Sequence, residues 1–260
     1  MLHHKISGNG KKPLVLLHGF MENTTIWDEM EAHLSKDFTL IKIDLPGHGK
    51  SKVYQEIHTV ELMAEKVKEV IDALKLEKIN LLGHSLGGYV SLAFAEKFPE
   101  ILESMTLFFS TTLADDEEKK QIRRRSIAVI DENFETFVKT SIPNLFSNNE
   151  KDILEGKIEL AKNIAKASNK EGVKAAQLGM AERPDRTEIL ENLDAKILII
   201  AGKYDNAVKT ENLLKIIPEK TNIKTYVLDC GHNGHWEKPT ICAEIINTEL
   251  LHNLPKHFLL

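Results

Sequence analysis

The residues best placed to do chemistry sit in one pentapeptide, Gly83-His84-Ser85-Leu86-Gly87, which directly follows the apolar run Ile79 to Leu82 and precedes a helix-favouring stretch from Gly88 to Phe98. A serine flanked by glycines at a strand-to-helix turn is held with its hydroxyl in the open, because the glycines let strand and helix approach and the turn forces strained angles on the serine. Ser85 is therefore the expected nucleophile, against the simpler reading of a serine that only caps the next helix. A free hydroxyl is weakly nucleophilic at neutral pH, so it needs a base within hydrogen-bond reach and a third group to hold that base.

Two later segments supply both. Gly202-Lys203-Tyr204-Asp205 follows the apolar run Lys196 to Ala201, and Cys230-Gly231-His232 follows Lys224 to Leu228. Each places a functional side chain just past the carboxyl end of a strand, where open α/β sheets gather their sites. Asp205 is the expected acid and His232 the expected base, with Asp229 and Asp115 as competing acids and His235 as a rival base. His232 and His235 also form His-x-x-His, but no further Cys or His at ligand spacing accompanies them, so no metal is expected. The chemistry calls for no cofactor. After the run Pro13 to Leu17, His18-Gly19-Phe20 offers the Phe20 amide, and the Leu86 amide opens the helix after Ser85. These two N–H groups are the expected oxyanion hole.

The elements that must position these residues are legible as short, nearly continuous runs of Ile, Leu and Val. Pro13–Leu17, Thr39–Ile43, Ile79–Leu82, Met105–Phe109, Lys196–Ala201 and Lys224–Leu228 read as strands buried on both faces. His3-His4 reads as part of an early edge strand. Ile57, Val60, Met63, Val67, Val70, Ile71 and Leu74 recur at three- and four-residue steps, which predicts an amphipathic crossover helix. The alternation predicts an α/β protein with a mostly parallel sheet flanked by helices. From about Thr111 to Leu190 the chain is charged, helix-favouring and without a convincing strand, broken at Pro143 and Pro184. This predicts a core in two parts, 1–110 and 191–260, with a helical cap or lid at 111–190. Asp115 to Glu118 followed by Lys119, Lys120 and Arg123 to Arg125 suits a helix dipole and i,i+4 ion pairs. The alternative use of an arginine here is to face the pocket and attract an anion. The pocket is expected to draw on Met21, Phe109, Phe137 and His235, the last either lining it or packing beneath the site, with Phe134, Leu145, Phe146 and Met180 as further apolar cap residues.

These residues together resemble the α/β-hydrolase superfamily: LLHGF at 16–20, DLPGHGKS at 44–51, GHSLGG at 83–88, AGKYD at 201–205 and GHNGHWEKP at 231–239. The combination is similar to small capped carboxylesterases and lactonases. It implies an α/β-hydrolase fold with an eight-stranded sheet, a helical cap inserted after the sixth strand, and hydrolysis of a small ester, thioester or lactone through an acyl-enzyme. Serine at the elbow argues against the haloalkane dehalogenases and epoxide hydrolases, which carry aspartate there. A carbon–carbon hydrolase or lyase acting on a metabolic acid would favour an inward-facing Arg123 or Arg125, and a slow ligand receptor would keep the same triad. The 44–51 turn is read as structural.

Composition fits this picture. The 260 residues, 42% hydrophobic and 28% charged with a net charge of −5, suit one core with an insertion. Lysine and glutamate are spread along the chain, so nucleic acid is excluded as the expected partner in favour of a small ester-like molecule. No apolar stretch approaches the roughly 20 residues needed to cross a bilayer. With no secretory signal after Met1, a cytoplasmic protein with free Cys230 and Cys242 is expected.

Overall fold

A computed structural model describes residues 1–34 and 36–251; the last nine residues of the expected 191–260 core segment lie outside them. In chain order the elements are β1 (His4–Ser7), β2 (Lys12–Leu17), α1 (Asp28–Leu34), β3 (Phe38–Ile43), α2 (Val60–Ala73), β4 (Ile79–His84), α3 (Leu86–Lys97) and β5 (Leu102–Phe108). The helices α4 (Glu117–Ser141), α5 (Glu155–Lys166), α6 (Lys170–Glu182) and α7 (Glu188–Asn192) follow without a strand. The chain then returns through β6 (Lys196–Gly202), α8 (Thr210–Leu214), β7 (Ile223–Leu228), α9 (Gly234–Glu237) and α10 (Pro239–Leu251).

The sheet has seven strands in the order β1-β3-β2-β4-β5-β6-β7, all parallel except β1, which pairs antiparallel with β3 from His4↔Ile43 to Ser7↔Leu40. The expected eight strands are thus corrected to seven among the described residues. One antiparallel edge strand precedes the parallel set, so the helical insertion follows the fifth strand of this sheet and not the sixth. Each apolar run settles where both of its faces can be covered: β4 is buried along its whole length, and α2, α3 and α10 supply the flanking layers. Parallel pairing puts the carboxyl ends of β2, β4, β6 and β7 on one rim, and the strand order switches direction there between β2 and β4. Among the described residues no helix is long and apolar enough to cross a membrane.

The inserted helices have their own local logic. Asp116 caps α4, accepting the Lys119 amide at 2.7 Å, with Glu117 and Glu118 in the first turn. The helix is interrupted at Asn133 (φ −153°, ψ 84°), whose side chain accepts the Thr136 amide and so restarts the second half. It ends ahead of Pro143, where a short 3₁₀ turn takes over. α6 lies directly against core backbone: a Cβ on Gly172 would stand 2.1 Å from the Gly47 carbonyl oxygen, and one on Gly179 would stand 1.8 Å from that of His58. The contact is sealed by His58 N–H donating to Ala175 O at 3.0 Å.

Candidate active site

Ser85 stands between β4 and α3 with φ 49° and ψ −110°, a left-handed conformation that costs a non-glycine residue energy. The turn is this tight because α3 is pressed onto the sheet. A Cβ on Gly83 would lie 2.1 Å from the Gly87 carbonyl oxygen, and one on Gly87 would lie 2.4 Å from that of Leu17. The Ser85 amide donates to Phe108 O at 3.1 Å and Ser110 Oγ donates to Ser85 O at 2.8 Å, which ties the strained residue to β5 and the loop after it. Its side chain makes no capping bond to α3. Instead the Ser85 hydroxyl lies 2.8 Å from His232 Nε2.

His232 follows β7, and its Nδ1–H donates to Asp205 Oδ2 at 2.7 Å. That bond fixes the tautomer and leaves Nε2 free to accept from Ser85. The other Asp205 oxygen accepts the amides of Ala207 and Val208, each at 2.8 Å, so the carboxylate is clamped at the end of β6. Glu237 does similar work for the histidine loop by accepting the Gly231, Asn233 and Ser147 amides. The competing acids lie elsewhere. Asp229 is exposed and pairs with Lys203 at 3.1 Å, and Asp115 is held by Arg123 and Arg183 of the inserted segment.

The Phe20 amide, in the turn after β2, has no acceptor among the described residues. Leu86 opens α3, so its N–H has no partner within the helix. The turn carrying Phe20 is fixed from behind by His18. Leu45 N–H donates to His18 Nε2 at 2.9 Å, and the ring's other nitrogen donates to Gly19 O at 2.7 Å. Burial pushes the His18 imidazole down from its ordinary value, which keeps it in this neutral form. The 44–51 turn thus supports the site from a distance, with Asp44 accepting the Thr24 and Lys50 amides.

Ser85 and His232 open onto a cavity of about 860 Å³ between the sheet rim and the inserted helices, whose apolar wall includes Phe20, Met21, Tyr89, Phe137, Leu145 and Met180. Of the four expected pocket residues, Met21 and Phe137 line it and two do not. Phe109 takes a left-handed backbone (φ 50°) just beyond the end of β5, which sends its ring into the core, edge-on to Phe108 and against Gly234. His235 is fully buried beneath the site, packed on Trp236 and His84 with centroid distances of 4.3 and 4.7 Å. Phe146 is also buried away from the cavity, stacked on Trp236.

Arg123 faces the cavity, whereas Arg125 is exposed. Arg123 bonds Asp115 through Nε and Gln177 through Nη1 at 3.0 Å. Arg183, which sequence reasoning passed over, joins them: its Nη2 donates to Asp115 at 2.8 Å, its Nη1 to Met180 O at 2.7 Å, and its guanidinium stacks 3.9 Å above the Tyr89 ring. Burial alone would raise the Asp115 carboxyl, but the two guanidiniums more than offset it and hold it at about 2. Asp115→Asn is expected to destabilise the protein by roughly 3 kcal/mol, because the buried Arg183 and partly buried Arg123 guanidiniums lose their counter-ion. The depressed carboxyl contributes stability above its ordinary value of 3.8 and loses it as pH falls toward 2. Urea unfolding should therefore show a wild-type advantage that is full at pH 7 and shrinks at pH 3; an equal advantage at both would contradict the assignment.

The one group among the described residues with metal-ligand spacing is Glu22, His84 and His235, all buried, with ligand atoms within 4.8 Å of one another. His84 Nδ1 lies 2.9 Å from Glu22 Oε2, a hydrogen bond that already occupies two of those atoms.

Residues 12–239 match the family described as alpha/beta hydrolase fold. The chain is similar to a thermophilic esterase from Thermogutta terrifontis, solved with malate bound, at 32% identity and a TM-score of 0.91, over 96% of this chain and 93% of that one. It is 29% identical to a putative 2-succinyl-6-hydroxy-2,4-cyclohexadiene-1-carboxylate synthase of Bacillus subtilis over 92% of this chain and 90% of the relative. It is 27% identical to a 2-hydroxy-6-oxononadienedioate/2-hydroxy-6-oxononatrienedioate hydrolase of Escherichia coli over 91% and 86%. A match of 35% identity to uncharacterized mycobacterial proteins spans 40% of this chain and 30% of their length.

Proposed function

Since the chain belongs to the α/β-hydrolase fold family, we propose that it is a serine hydrolase that cleaves a small uncharged carboxylic ester, thioester or lactone through an acyl-enzyme. The observation that carries this reading is the unbroken line Ser85 Oγ–His232 Nε2 and His232 Nδ1–Asp205 Oδ2, at 2.8 and 2.7 Å, opening on a cavity with an apolar wall beside the serine. Ser85 Oγ attacks the substrate carbonyl carbon as its proton passes to His232 Nε2. Asp205 holds the resulting imidazolium and does not itself take the proton. The carbonyl oxygen, now an anion, is received by the amides of Phe20 and Leu86. His232 returns the proton to the departing alkoxide or thiolate, and a water activated by the same ring then releases the acid.

The two arginines of the cavity wall support an uncharged substrate. The Arg123 and Arg183 donors that reach the cavity are largely engaged by Asp115, Gln177 and backbone carbonyls. A second reading, a carbon–carbon hydrolase or lyase on a carboxylate substrate, draws support from the buried Arg183 Nε, which has no acceptor among the described residues, and from the activities named for the Bacillus and Escherichia relatives. p-Nitrophenyl esters of increasing acyl length separate the two. Under the ester reading, kcat/KM rises about fourfold per added methylene, at roughly 0.8 kcal/mol per buried CH₂, until the cavity is full. Ester carboxylates such as a succinate half-ester should be poorer than neutral esters of the same length; the reverse preference, with slow turnover of all neutral esters, would favour the second reading. Cytoplasmic residence is part of the proposal, supported by the two unpaired, buried thiols of Cys230 and Cys242.

A further inference from the structure

Against the triad, at the inner wall of the cavity, lie two largely buried ionisable groups that the acyl-transfer steps do not use, Glu22 and His84. His84 Nδ1 is 2.9 Å from Glu22 Oε2, and His84 Nε2 is 3.0 Å from the backbone carbonyl oxygen of His232. A carboxylate and a carbonyl only accept, so both ring nitrogens must donate, and His84 is an imidazolium. Glu22 Oε2 also accepts the Gly19 amide at 2.5 Å. The ends of these three bonds are informative. Gly19 immediately precedes Phe20, His84 immediately precedes Ser85, and the carbonyl belongs to His232. The pair therefore joins the oxyanion turn, the nucleophile turn and the base loop through one buried centre, with the two side chains only 10% and 1% exposed.

We infer that Glu22 and His84 form a charged positioning pair that sets the mutual register of the Phe20 amide, Ser85 and His232 for acyl transfer. The inference rests on the serine-hydrolase reading above. Every charged or titratable group facing the pair is accounted for: His18 from the end of β2, Asp205 from the loop after β6, His232 from the loop after β7 and His235 from α9. Burial opposes charge on both partners. The attraction of Glu22 nonetheless holds the His84 ring above 6.5, and that of His84 holds the Glu22 carboxyl at about 2. His235 does not share the charge. Burial, reinforced by the His84 cation, pushes it well below its ordinary value, and its Nε2 stands 3.8 Å from Glu22 Oε1, beyond hydrogen-bond reach.

A pH signature follows from the sign of the His84 shift. A raised imidazole is fully charged below its ordinary value and loses its contribution as pH rises through the raised one. Neutral His84 has a single N–H for two acceptors, so one of the loop contacts becomes repulsive and kcat falls on the alkaline side. The test is ¹⁵N-histidine NMR of the whole protein, with His84 assigned from a His84→Gln spectrum, alongside kcat–pH profiles of wild type and Glu22→Gln. Wild-type His84 should carry protons on both ring nitrogens at pH 7 and lose one at the pH where kcat falls. Glu22→Gln should move both midpoints down together and lower kcat about 10- to 100-fold, the scale of a misplaced catalytic group, with KM within about twofold.

A single ring proton on wild-type His84 at pH 7 would overturn the inference. An unchanged kcat and alkaline limb in Glu22→Gln would do the same. So would a stoichiometric divalent metal in the purified protein whose chelation changes the His84 and His235 signals together. Should Glu22→Gln fail to fold, the wild-type NMR result still decides. A wrong serine-hydrolase reading would appear separately, as failure of a fluorophosphonate to react at Ser85, whatever the charge on His84.

Discussion

Replacement of Ser85 by alanine is expected to lower kcat on a neutral p-nitrophenyl ester by about a million-fold, the loss found when a serine triad is deprived of its nucleophile. The remaining catalysis would come from the Phe20 and Leu86 amides and from binding alone. The fold should tolerate the change, because the side chain bonds only to His232 Nε2 and caps no helix turn. The strained φ of 49° is imposed by the close packing of Gly83 and Gly87 and is present in the variant as in the wild type. Steady-state kinetics with a matched thermal melt checks both halves. A variant that keeps more than about one per cent of wild-type kcat would remove Ser85 from the mechanism.

Asp205→Asn should cost about ten-thousand-fold in kcat, with little effect on folding. One Asp205 oxygen accepts the Ala207 and Val208 amides at 2.8 Å, and an asparagine carbonyl can keep those bonds. The amide NH₂ is then turned toward His232 Nδ1, where the wild type has an acceptor 2.7 Å away. Two donors cannot share that contact, so His232 is driven to the tautomer with its proton on Nε2, which can no longer accept from Ser85. Single-turnover kinetics should place the whole loss in acylation and deacylation, with KM little changed. A loss of less than tenfold would indicate that another carboxylate orients the base.

Much of this site could be read in the sequence because its parts are local. The Gly-x-Ser-x-Gly turn, the strand-end aspartate and the strand-end histidine each stand beside a short apolar run, and all six of the expected strands form, displaced by three residues or fewer at their ends. The 111–190 stretch holds no strand because its charge density and proline breaks leave nothing for a sheet to bury on both faces. What escaped the sequence depends on partners distant along the chain. Phe109 continues an apolar run and reads as one more strand residue, but a left-handed backbone turns it inward. His235 could be read from its place near His232 as a pocket residue or as packing beneath the site, and only folding chooses: α9 carries it beneath the sheet rim against Trp27 and Trp236. Arg183 and Asp115 are 68 positions apart, and only folding makes them a pair. Glu22 gave no signal beyond being an acid three residues after Gly19; its meaning comes from the His84 ring, 62 positions away. The interruption of α4 at Asn133 had a fainter clue, an asparagine three residues before Thr136 in the pattern of a helix cap.

The measurement closest to the central claim is covalent labelling with a fluorophosphonate, followed by peptide mass spectrometry of wild type and Ser85→Ala. One adduct per chain is expected, on the peptide that carries Ser85, absent from the variant and suppressed by a competing ester. An adduct on another residue, or no adduct in a wild type that still turns over esters, would contradict it.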